Sequence, residues 1–430
     1  MTDLQPRARQ RALSIAAVAG GEEGTLQELG ELLRTAGVAV VGELVQHREA
    51  PHPNTYLGQG KLAEAAAAAR ECDANVIACD DELSPRQERN LERELELPVV
   101  DRTTVILDIF AAHASTAEGK LQVELAQLEY NLARMRGLWT HLERLGGGIG
   151  TRGPGESQIE TDRRLARDRI SALRQRLAEV KRSRATMRAE RERAALPQVA
   201  LVGYTNVGKS TLLNALFDAY GRSQTELSRT SGQASVRDRL FHTLDPTTRT
   251  VRIAGRRHLL TDTVGFISKL PHQLVDAFGA TLEETVQADL LLHVLDASAA
   301  EQRLEEMRAA VEATLEEIGA GDTPRLIVCN KADLLDEHAH EDLRFRHPEA
   351  ILISSATGAG LDTLAARIDA ELRRALRPVK LLVPYSDGRD LAELHELAGG
   401  LDRRDTPEGV LVRAMLPERL VARFARFAVA

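Results

Sequence analysis

The stretch from Gly203 to Thr211, GYTNVGKST, has residue types and a spacing that suit phosphate binding. It fits the pattern GxxxxGK[ST]. An apolar segment, Gln198 to Val202, precedes it, and Thr211 to Leu216 is expected to open a helix. Glycines allow close backbone approach, and N–H groups at a helix N-terminus attract anions. We predict a phosphate loop in which Lys209 holds phosphates and Ser210 binds Mg²⁺. Its members are Gly203, Tyr204, Thr205, Asn206, Val207, Gly208, Lys209, Ser210 and Thr211.

A second motif, DTVGF, follows the apolar run HLLT. An aspartate at a strand end suits a water-mediated contact with Mg²⁺, so this role is assigned to Asp262. The N–H of Gly265 suits a γ-phosphate. The pattern DxxG alone is very common. For the phosphate-loop pattern, the alternative is a chance match of Gly, Gly, Lys and Ser in an unrelated loop. The residues assigned to the nucleotide site here are Asp262, Thr263, Val264 and Gly265.

Two further motifs suit a guanine base. In NKAD, after the strand RLIVC, Asp333 can accept hydrogen bonds from N1–H and the 2-amino group, and Asn330 can meet N7. Adenine lacks that donor pair, so the pattern favours GTP over ATP. In SSATG the backbone can reach O6. The assigned residues are Asn330, Lys331, Asp333, Ser355, Ala356 and Thr357. All four motifs, in this order and each at a strand end, indicate a GTP-binding α/β domain with its ligands at the carboxyl edge of the sheet.

The segment FHTLDPTTR lies where a loop that senses the γ-phosphate is expected. Phe241, His242 and Thr243 are assigned to the nucleotide site. Thr243 is the predicted second Mg²⁺ ligand, and Thr247 or Thr248 could substitute for it.

No catalytic residue can be assigned. Many Ras-like GTPases place a water-orienting glutamine after the DxxG glycine, and this chain has Phe266 there. We therefore expect slow intrinsic hydrolysis. Asn206 suggests K⁺ as an additional cofactor, since an asparagine at this position helps to bind K⁺ in several cation-activated GTPases. The alternative is that Asn206 braces the loop by hydrogen bonding.

Length and composition bound the remaining possibilities. With 430 residues, two to four domains are expected, and a net charge of −8 argues against indiscriminate nucleic-acid binding. Three cysteines show no paired metal spacing, which fits a reducing cytosol. The N-terminus has no apolar signal core, and no apolar run approaches ~18 residues. We expect a cytoplasmic protein without stable membrane insertion.

The elements around the motifs predict a multidomain α/β protein. Residues 13–115 alternate apolar strands and helical runs, which suggests a small α/β domain. Within it, YLGQGK (Tyr56 to Lys61) favours a tight turn before a helix, with phosphate contact as the alternative. A GTPase domain is expected at 197–376, with strands near Val199, Val251, Leu259, Leu290, Leu326 and Ile351. Arg377 and Pro378 mark a boundary before a small α/β domain at 378–430.

Residues 116–195 have the pattern of an antiparallel helical hairpin. One apolar seam contains Leu121, Leu125, Leu128, Leu132, Met135, Trp139 and Leu142; the other contains Ala166, Ile170, Leu173, Leu177 and Val180, extended by Met187. Between them lies GGGIGTRGPGE (Gly146 to Glu156), which is longer than a plain turn requires. Residues 151–195 contain 13 Arg or Lys against 7 Asp or Glu, a pattern that fits either a solvated face or an RNA backbone.

With the motifs joined to EGKLQVELAQLEY, GGGIGTRGPGESQIETDRR and DTVGFISKLPHQLVDAF, the chain resembles the HflX family of ribosome-associated GTPases. This resemblance implies a Ras-like GTPase domain, an N-terminal domain with a helical hairpin and a short C-terminal domain. It implies binding to the large ribosomal subunit and its RNA, with the hairpin tip near the peptidyl-transferase centre. It also implies GTP-dependent splitting of stalled or idle ribosomes.

Carried over by position, Lys209 and Ser210 match the family's phosphate and magnesium residues, Thr243 its switch threonine, and Asn330 and Asp333 its guanine readers. The chain departs from the family pattern in two places. Tyr220 to Arg239 is longer than the usual connection, and His242 stands where alanine is common.

The leading hypothesis is a monomeric GTP hydrolase that separates ribosomal subunits. The main alternative is an RNA-binding chaperone or ribosome-assembly GTPase that does not split them. A third, an ATP-driven RNA-remodelling activity, depends on YLGQGK alone.

Overall fold

The computed structural model describes residues 10–19, 26–134, 154–194, 196–221, 241, 246–269, 279–374, 376–398 and 401–429. The chain divides into two compact units. The first comprises residues 1–180, 239–241 and 269–278, and the second comprises residues 181–238, 242–268 and 279–430. No helix in the described ranges is long and apolar enough to cross a membrane.

The first unit contains a parallel four-stranded sheet with helices between its strands, as the alternating pattern predicted. Its strand order is β2-β1-β3-β4. The strands are β1 (Arg11–Val18), β2 (Ala39–His47), β3 (Val76–Cys79) and β4 (Val99–Asp101); the helices are α1 (Gln27–Thr35), α2 (Gln59–Glu71), α3 (Pro85–Leu95) and α4 (Arg102–His113). The inner strand β1 was not among the strands picked from the sequence. Alanine and serine make up half of its sequence, RALSIAAV, and weaken the strand signal, although most residues of the strand are buried.

YLGQGK forms a turn that leads into α2, in agreement with the favoured interpretation. Tyr56 has a positive φ of 61° and Gly58 precedes the helix in extended conformation. The Gly58 N–H donates to Gln46 Oε1 at 2.9 Å, and the Tyr56 hydroxyl donates to Asp81 at 2.6 Å. The backbone of this turn is therefore held by side chains of its own domain.

The hairpin consists of α5 (Ala117–Arg134) and α6 (Pro154–Ala194). Both predicted seams contribute to one buried cluster, in which Leu125 packs with Ile170, Leu173 and Leu177. Met135, Trp139, Leu142 and the tip 146–153 lie outside the described residues. The last three residues of the predicted break, Pro154 to Glu156, form the first turn of α6 instead, because proline has the φ that a first helical turn needs.

The second unit contains a six-stranded sheet at the predicted strand positions, in the order β10-β9-β8-β5-β7-β6. Its strands are β5 (Gln198–Gly203), β6 (Thr247–Ile253), β7 (Arg256–Asp262), β8 (Leu290–Asp296), β9 (Arg325–Asn330) and β10 (Ile351–Leu352); its helices are α7 (Lys209–Tyr220), α8 (Gly279–Val286), α9 (Glu301–Glu317), α10 (Glu337–Arg346) and α11 (Leu361–Arg374). All strands except the edge strand β6 are parallel, so the ends of β5, β7, β8, β9 and β10 meet at one edge.

The C-terminal part of this unit is a three-stranded antiparallel sheet with two helices. Its elements are β11 (Leu376–Val383), α12 (Gly388–Ala398), β12 (Asp402–Thr406), β13 (Gly409–Pro417) and α13 (Glu418–Arg423). The boundary expected at Arg377 and Pro378 is misplaced, because both residues lie inside β11. This strand is at the sheet edge, where a proline without an N–H is tolerated.

Candidate nucleotide site

The phosphate loop connects the end of β5 to the start of α7, which begins at Lys209, two residues earlier than expected. Its two glycines have positive φ angles, 152° at Gly203 and 91° at Gly208. A Cβ on Gly203 would lie 2.3 Å from the Val294 carbonyl oxygen, and one on Gly208 would lie 2.4 Å from Asn330 Nδ2. Both positions therefore require glycine for the backbone conformation and for the close approach of neighbouring strand ends.

Lys209 is buried at the start of α7 with its ammonium group over the loop. Its Nζ donates to the carbonyl oxygens of Gly203 at 3.0 Å and Tyr204 at 2.8 Å. Burial lowers the pKa of Lys209 to about 8, and the nearby carboxylate of Asp262 opposes that shift. The side chain thus stays mostly protonated at neutral pH, as a phosphate ligand must.

The two residues predicted to serve Mg²⁺ from β7 and α7 are in contact. Ser210 Oγ donates to Asp262 Oδ2 at 2.6 Å, and Asp262 is fully buried. A hydroxyl and a carboxylate oxygen are the hard ligands that Mg²⁺ prefers, so this pair fits the ion.

The candidates for the second Mg²⁺ ligand differ in their surroundings. Thr243 and His242 lie outside the described residues. Thr247 stands opposite Asp262 in the β6–β7 ladder, whereas the Thr248 hydroxyl is 3.0 Å from the Thr261 hydroxyl. Phe241 is buried, and its ring packs edge to face on Phe110 with centroids 4.6 Å apart.

The segment after β7 is bound to the phosphate loop through its backbone. The Phe266 N–H donates to the Gly203 carbonyl at 3.1 Å, and the Thr205 N–H donates to the Phe266 carbonyl at 2.8 Å. The Phe266 ring is only 1% exposed. Phe266 therefore supports the loop structurally and offers no group that could orient water.

Gly265 also lies against the loop. A Cβ there would lie 2.8 Å from Thr205 Cγ2 and 3.0 Å from Lys209 Nζ. The other two members of the motif are in the interior: Thr263 Oγ1 donates to the Leu201 carbonyl at 2.7 Å, and Val264 is buried.

Asn330 joins three of the four motifs. Its Nδ2 donates to the Val207 carbonyl at 2.9 Å, while its Oδ1 accepts from the Ser355 N–H at 3.0 Å and the Ser355 hydroxyl at 2.8 Å. The sequence predicted Asn330 as a base contact; the structure adds that it braces the phosphate loop. Among the described residues no hydrogen bond or ion pair engages the exposed carboxylate of Asp333, which leaves it available as an acceptor.

Two contributors were missed from the sequence. Asp296, at the end of β8, forms an ion pair with Lys331, with 2.7 Å between Asp296 Oδ2 and Lys331 Nζ. This contact anchors the NKAD segment. The position of Asp296 after the apolar run LLLHVL was the available signal. Ser354 Oγ accepts from the Thr357 N–H at 3.1 Å and shapes the SSATG turn around Ala356.

Asn206 is exposed and has a positive φ of 63°. Within the described part of the chain its side chain makes no hydrogen bond, so the predicted brace is not seen there. Tyr204 is held by Ser268, whose N–H donates to the tyrosine hydroxyl at 2.6 Å.

The residues predicted to bind phosphate, magnesium and base thus converge at the carboxyl edge of one sheet, which defines a Ras-like GTP-binding domain of the phosphate-loop class. Family profiles agree: residues 23–111 match a GTP-binding GTPase N-terminal region, 113–191 a GTP-binding GTPase middle region, and 198–331 a 50S ribosome-binding GTPase.

Among similar proteins, a GTPase HflX from Lacrimispora saccharolytica is 45% identical over 421 residues, covering 97% of this chain and 96% of that protein. A GTPase HflX from Escherichia coli is 46% identical over 375 residues, covering 86% and 84%. A solved GTP-binding protein from Sulfolobus solfataricus in complex with GDP is 26% identical, with a TM-score of 0.41 and coverage of 84% and 98%. The chain belongs to the HflX family of GTPases. It binds guanine nucleotides and is a GTP-hydrolysing enzyme.

Proposed function

We propose that this GTPase binds the large ribosomal subunit in its GTP state and separates joined ribosomes into subunits. The observation that carries the proposal is the combination, in one chain, of a guanine-nucleotide site with a helical hairpin whose second helix is strongly basic. The profile matched by residues 198–331 describes a 50S ribosome-binding GTPase, which supports the same partner.

Helix α6 carries more positive charge than the acidic residues of the hairpin neutralise. Arg169 pairs with Glu124 and Arg174 pairs with Glu129, each at 2.7 Å. Within the described residues Arg164, Arg167 and Arg176 are exposed and have no acidic partner. Their side chains are available to RNA phosphates, whose contacts with Arg and Lys provide most of the sequence-independent binding energy.

The site also suggests how nucleotide state controls residence. GTP requires the Gly265 N–H and the loop around Thr243 near the γ-phosphate, so loss of that phosphate releases both segments. Because Phe266 cannot orient water, the ribosome is proposed to complete the hydrolytic site. Mg²⁺ would be held by Ser210 and Thr243, with Asp262 acting through water; when bound, it neutralises phosphate charge. We further propose a cytoplasmic monomer with domains at 13–115 and 116–195, a GTPase domain from residue 197 to the end of α11, and a small C-terminal domain that begins with β11.

The test is sedimentation of joined ribosomes with the full-length protein and a non-hydrolysable GTP analogue on a sucrose gradient. Conversion of the joined peak into subunits supports splitting. Comigration with intact ribosomes supports the chaperone or assembly alternative, and absence of the protein from ribosomal fractions contradicts the partner itself.

Two variants locate the activity. Replacing residues 147–153 with a short Gly-Ser turn should abolish splitting while nucleotide binding persists. Arg164→Gln/Arg167→Gln/Arg176→Gln should reduce ribosome affinity, whereas the matched variant Arg344→Gln/Arg389→Gln/Arg404→Gln, at exposed arginines elsewhere, should not. Parent-level splitting by the shortened protein would make the tip a plain connector.

A further inference from the structure

The side chain of Tyr204 makes a further contact between the phosphate loop and the segment that follows β7. Its hydroxyl accepts a hydrogen bond from the Ser268 N–H at 2.6 Å and lies 2.7 Å from Ser268 Oγ, at hydrogen-bond distance. Tyr204 belongs to the loop GYTNVGKST, and Ser268 comes three residues after Gly265. Both residues belong to the second unit. We call this pair of hydrogen bonds the Tyr204–Ser268 contact.

The Tyr204 ring has a fixed position in the structure. The residue is only 3% exposed, and the guanidinium of Arg303, on α9, lies over the ring at 5.2 Å from its centroid. A buried phenol hydroxyl normally has a hydrogen-bond partner, and Ser268 provides two groups that fill this role. The ring therefore holds Ser268 at a defined place beside the phosphate loop.

The Tyr204–Ser268 contact adds to a backbone link at Phe266. Tyr204 and Phe266 form an isolated parallel β-bridge, which carries the two backbone hydrogen bonds described above. The contact at Ser268 attaches the same segment a second time, two residues further along the chain. An attachment at Phe266 alone fixes one point of the segment, whereas two attachments also fix its direction. The direction of the segment sets where the N–H of Gly265 points.

We infer that Tyr204 is a positioning residue for GTP, because through Ser268 it orients the segment that presents the Gly265 N–H to the γ-phosphate. The inference rests on the γ-phosphate contact proposed above for Gly265, and it does not require ribosome splitting. Ordering a chain segment opposes ligand binding, and a contact that orders the segment beforehand reduces this cost. The phosphate-loop pattern leaves the residue after its first glycine unrestricted, so phosphate binding by the loop does not itself require this hydroxyl.

The inferred role has a consequence that structural support of the loop would not have. GDP has no γ-phosphate, so its binding does not use the Gly265 N–H. Loss of the Tyr204 hydroxyl should therefore weaken GTP binding and leave GDP binding unchanged. Damage to the phosphate loop itself would weaken both nucleotides.

The experiment compares the parent with Tyr204→Phe, which keeps the ring and removes only the hydroxyl. The matched control is Tyr385→Phe, because the Tyr385 hydroxyl also makes a hydrogen bond, to the Thr406 carbonyl at 2.8 Å in the C-terminal part of the chain. Calorimetry with Mg²⁺ measures the affinities for GDP and for a non-hydrolysable GTP analogue. Single-turnover hydrolysis of GTP is measured without ribosomes.

We expect Tyr204→Phe to bind the GTP analogue about tenfold more weakly, since two hydrogen bonds are lost, and to bind GDP as the parent does. Single-turnover hydrolysis should slow by a similar factor, because a donor aimed at the γ-phosphate is less often in place. Ser268→Ala removes only the Oγ contact and should weaken analogue binding about threefold. The double variant should match Tyr204→Phe, because the two changes remove one shared interaction. The control should match the parent.

Unchanged affinity of Tyr204→Phe for the GTP analogue overturns the inference. A gain in affinity or in hydrolysis rate overturns it too, since the contact would then hold the segment away from the γ-phosphate. Equal losses for the analogue and for GDP contradict positioning and leave Tyr204 as a support of the loop. If Tyr204→Phe misfolds, Ser268→Ala decides: a loss confined to the analogue supports the inference, and parent affinity overturns it.

Gly265→Ala, measured in the same series, distinguishes failure of the inference from failure of the contact on which it rests. A GTP-selective loss in Gly265→Ala with parent behaviour in Tyr204→Phe refutes only the positioning role. Equal losses for both nucleotides in Gly265→Ala refute the γ-phosphate contact, and with it the role inferred for Tyr204.

Discussion

Asn330 and Asp333 have different roles in the NKAD segment. Asn330 holds the phosphate loop and the SSATG turn together, whereas Asp333 is exposed with no partner among the described residues. This division makes Asp333 the residue whose chemistry should read the base. Asn330 should matter for both base and loop.

Asp333→Asn should therefore change base preference without disturbing the fold. An amide cannot accept both guanine donors, so we expect GTP affinity to fall about 100-fold, the cost of two hydrogen bonds to a charged group. Affinity for xanthosine triphosphate should rise relative to GTP. Calorimetric titration of both nucleotides measures this, with Asp322→Asn as a control at an exposed, remote carboxylate. Unchanged GTP affinity would remove Asp333 from the base site.

Gly265→Ala tests the contact between the segment after β7 and the phosphate loop. The new Cβ would meet Thr205 Cα at 2.9 Å, and this backbone atom has little room to move. We expect the segment to shift away and GTP affinity to fall roughly tenfold through loss of one hydrogen bond to the γ-phosphate. GDP affinity should stay near the parent value. Gly60→Ala, where a Cβ meets nothing within 4 Å, is the control. Equal losses for GTP and GDP would argue against a γ-phosphate contact.

Substitution of Asn206 tests whether a monovalent cation assists GTP hydrolysis. An exposed side-chain oxygen on the phosphate loop can help to hold K⁺, which would stabilise developing negative charge. We expect the parent to hydrolyse GTP faster in K⁺ than in Na⁺ at equal ionic strength, and Asn206→Ala to lose this difference. Hydrolysis is measured with and without ribosomes. Equal rates of the parent in both salts would exclude the cation.

At the scale of the element, the β6–β7 connection is a two-residue turn that carries a conformational cost. Ala254 and Gly255 both have positive φ, 49° and 80°, between paired Ile253 and Arg256. Such turns favour Asn-Gly, and an alanine in the left-handed region costs about 1 kcal/mol.

Ala254→Asn should raise the free energy of unfolding by about 1 kcal/mol, because asparagine tolerates this conformation. Ala254→Val should lower it, since a β-branched residue fits the left-handed region less well. Denaturant unfolding followed by circular dichroism measures both. A destabilised asparagine variant would contradict this account of the turn.

Strand β8 contains a buried histidine, His293, which is fully enclosed in the central sheet. Burial, with the positive charges of Arg308, Arg325 and Lys209, lowers the pKa of His293 to about 3. Neither ring nitrogen has a hydrogen-bond partner among the described residues. The imidazole is therefore neutral in the folded protein.

At the scale of the whole molecule, the buried neutral imidazole of His293 makes the free energy of unfolding depend on pH. His293 takes up a proton near pH 6.5 in the unfolded chain, whereas in the folded chain it stays neutral until about pH 3. The contribution of neutral His293 to the free energy of unfolding is therefore complete above pH 6.5 and is lost as the pH falls towards 3. From pH 7 to pH 5 the loss is about 2 kcal/mol. His293→Leu should lack this part of the pH dependence, while His258, also buried with a lowered pKa, remains in both proteins. Identical pH dependence of unfolding in the two proteins would show that the pKa of His293 is the same in the folded and unfolded states.

Sequence alone determined the nucleotide chemistry of this protein. Lys209, Ser210, Asp262, Asn330 and Asp333 stand in short motifs after apolar strands, and parallel strands of one sheet must bring their carboxyl ends together. The six strands, the hairpin seam and the family followed from the same local patterns. Strand β1 was not predicted, because the alanine and serine residues that make up half of it have low strand propensity.

Tertiary structure decided what depends on contacts between distant segments. Sequence spacing does not show that Asn330 braces Val207, that Asp296 holds Lys331, or that Gly265 lies against Lys209. Each of these contacts joins segments that lie far apart along the chain, so its geometry depends on how the strands and helices of the domain pack.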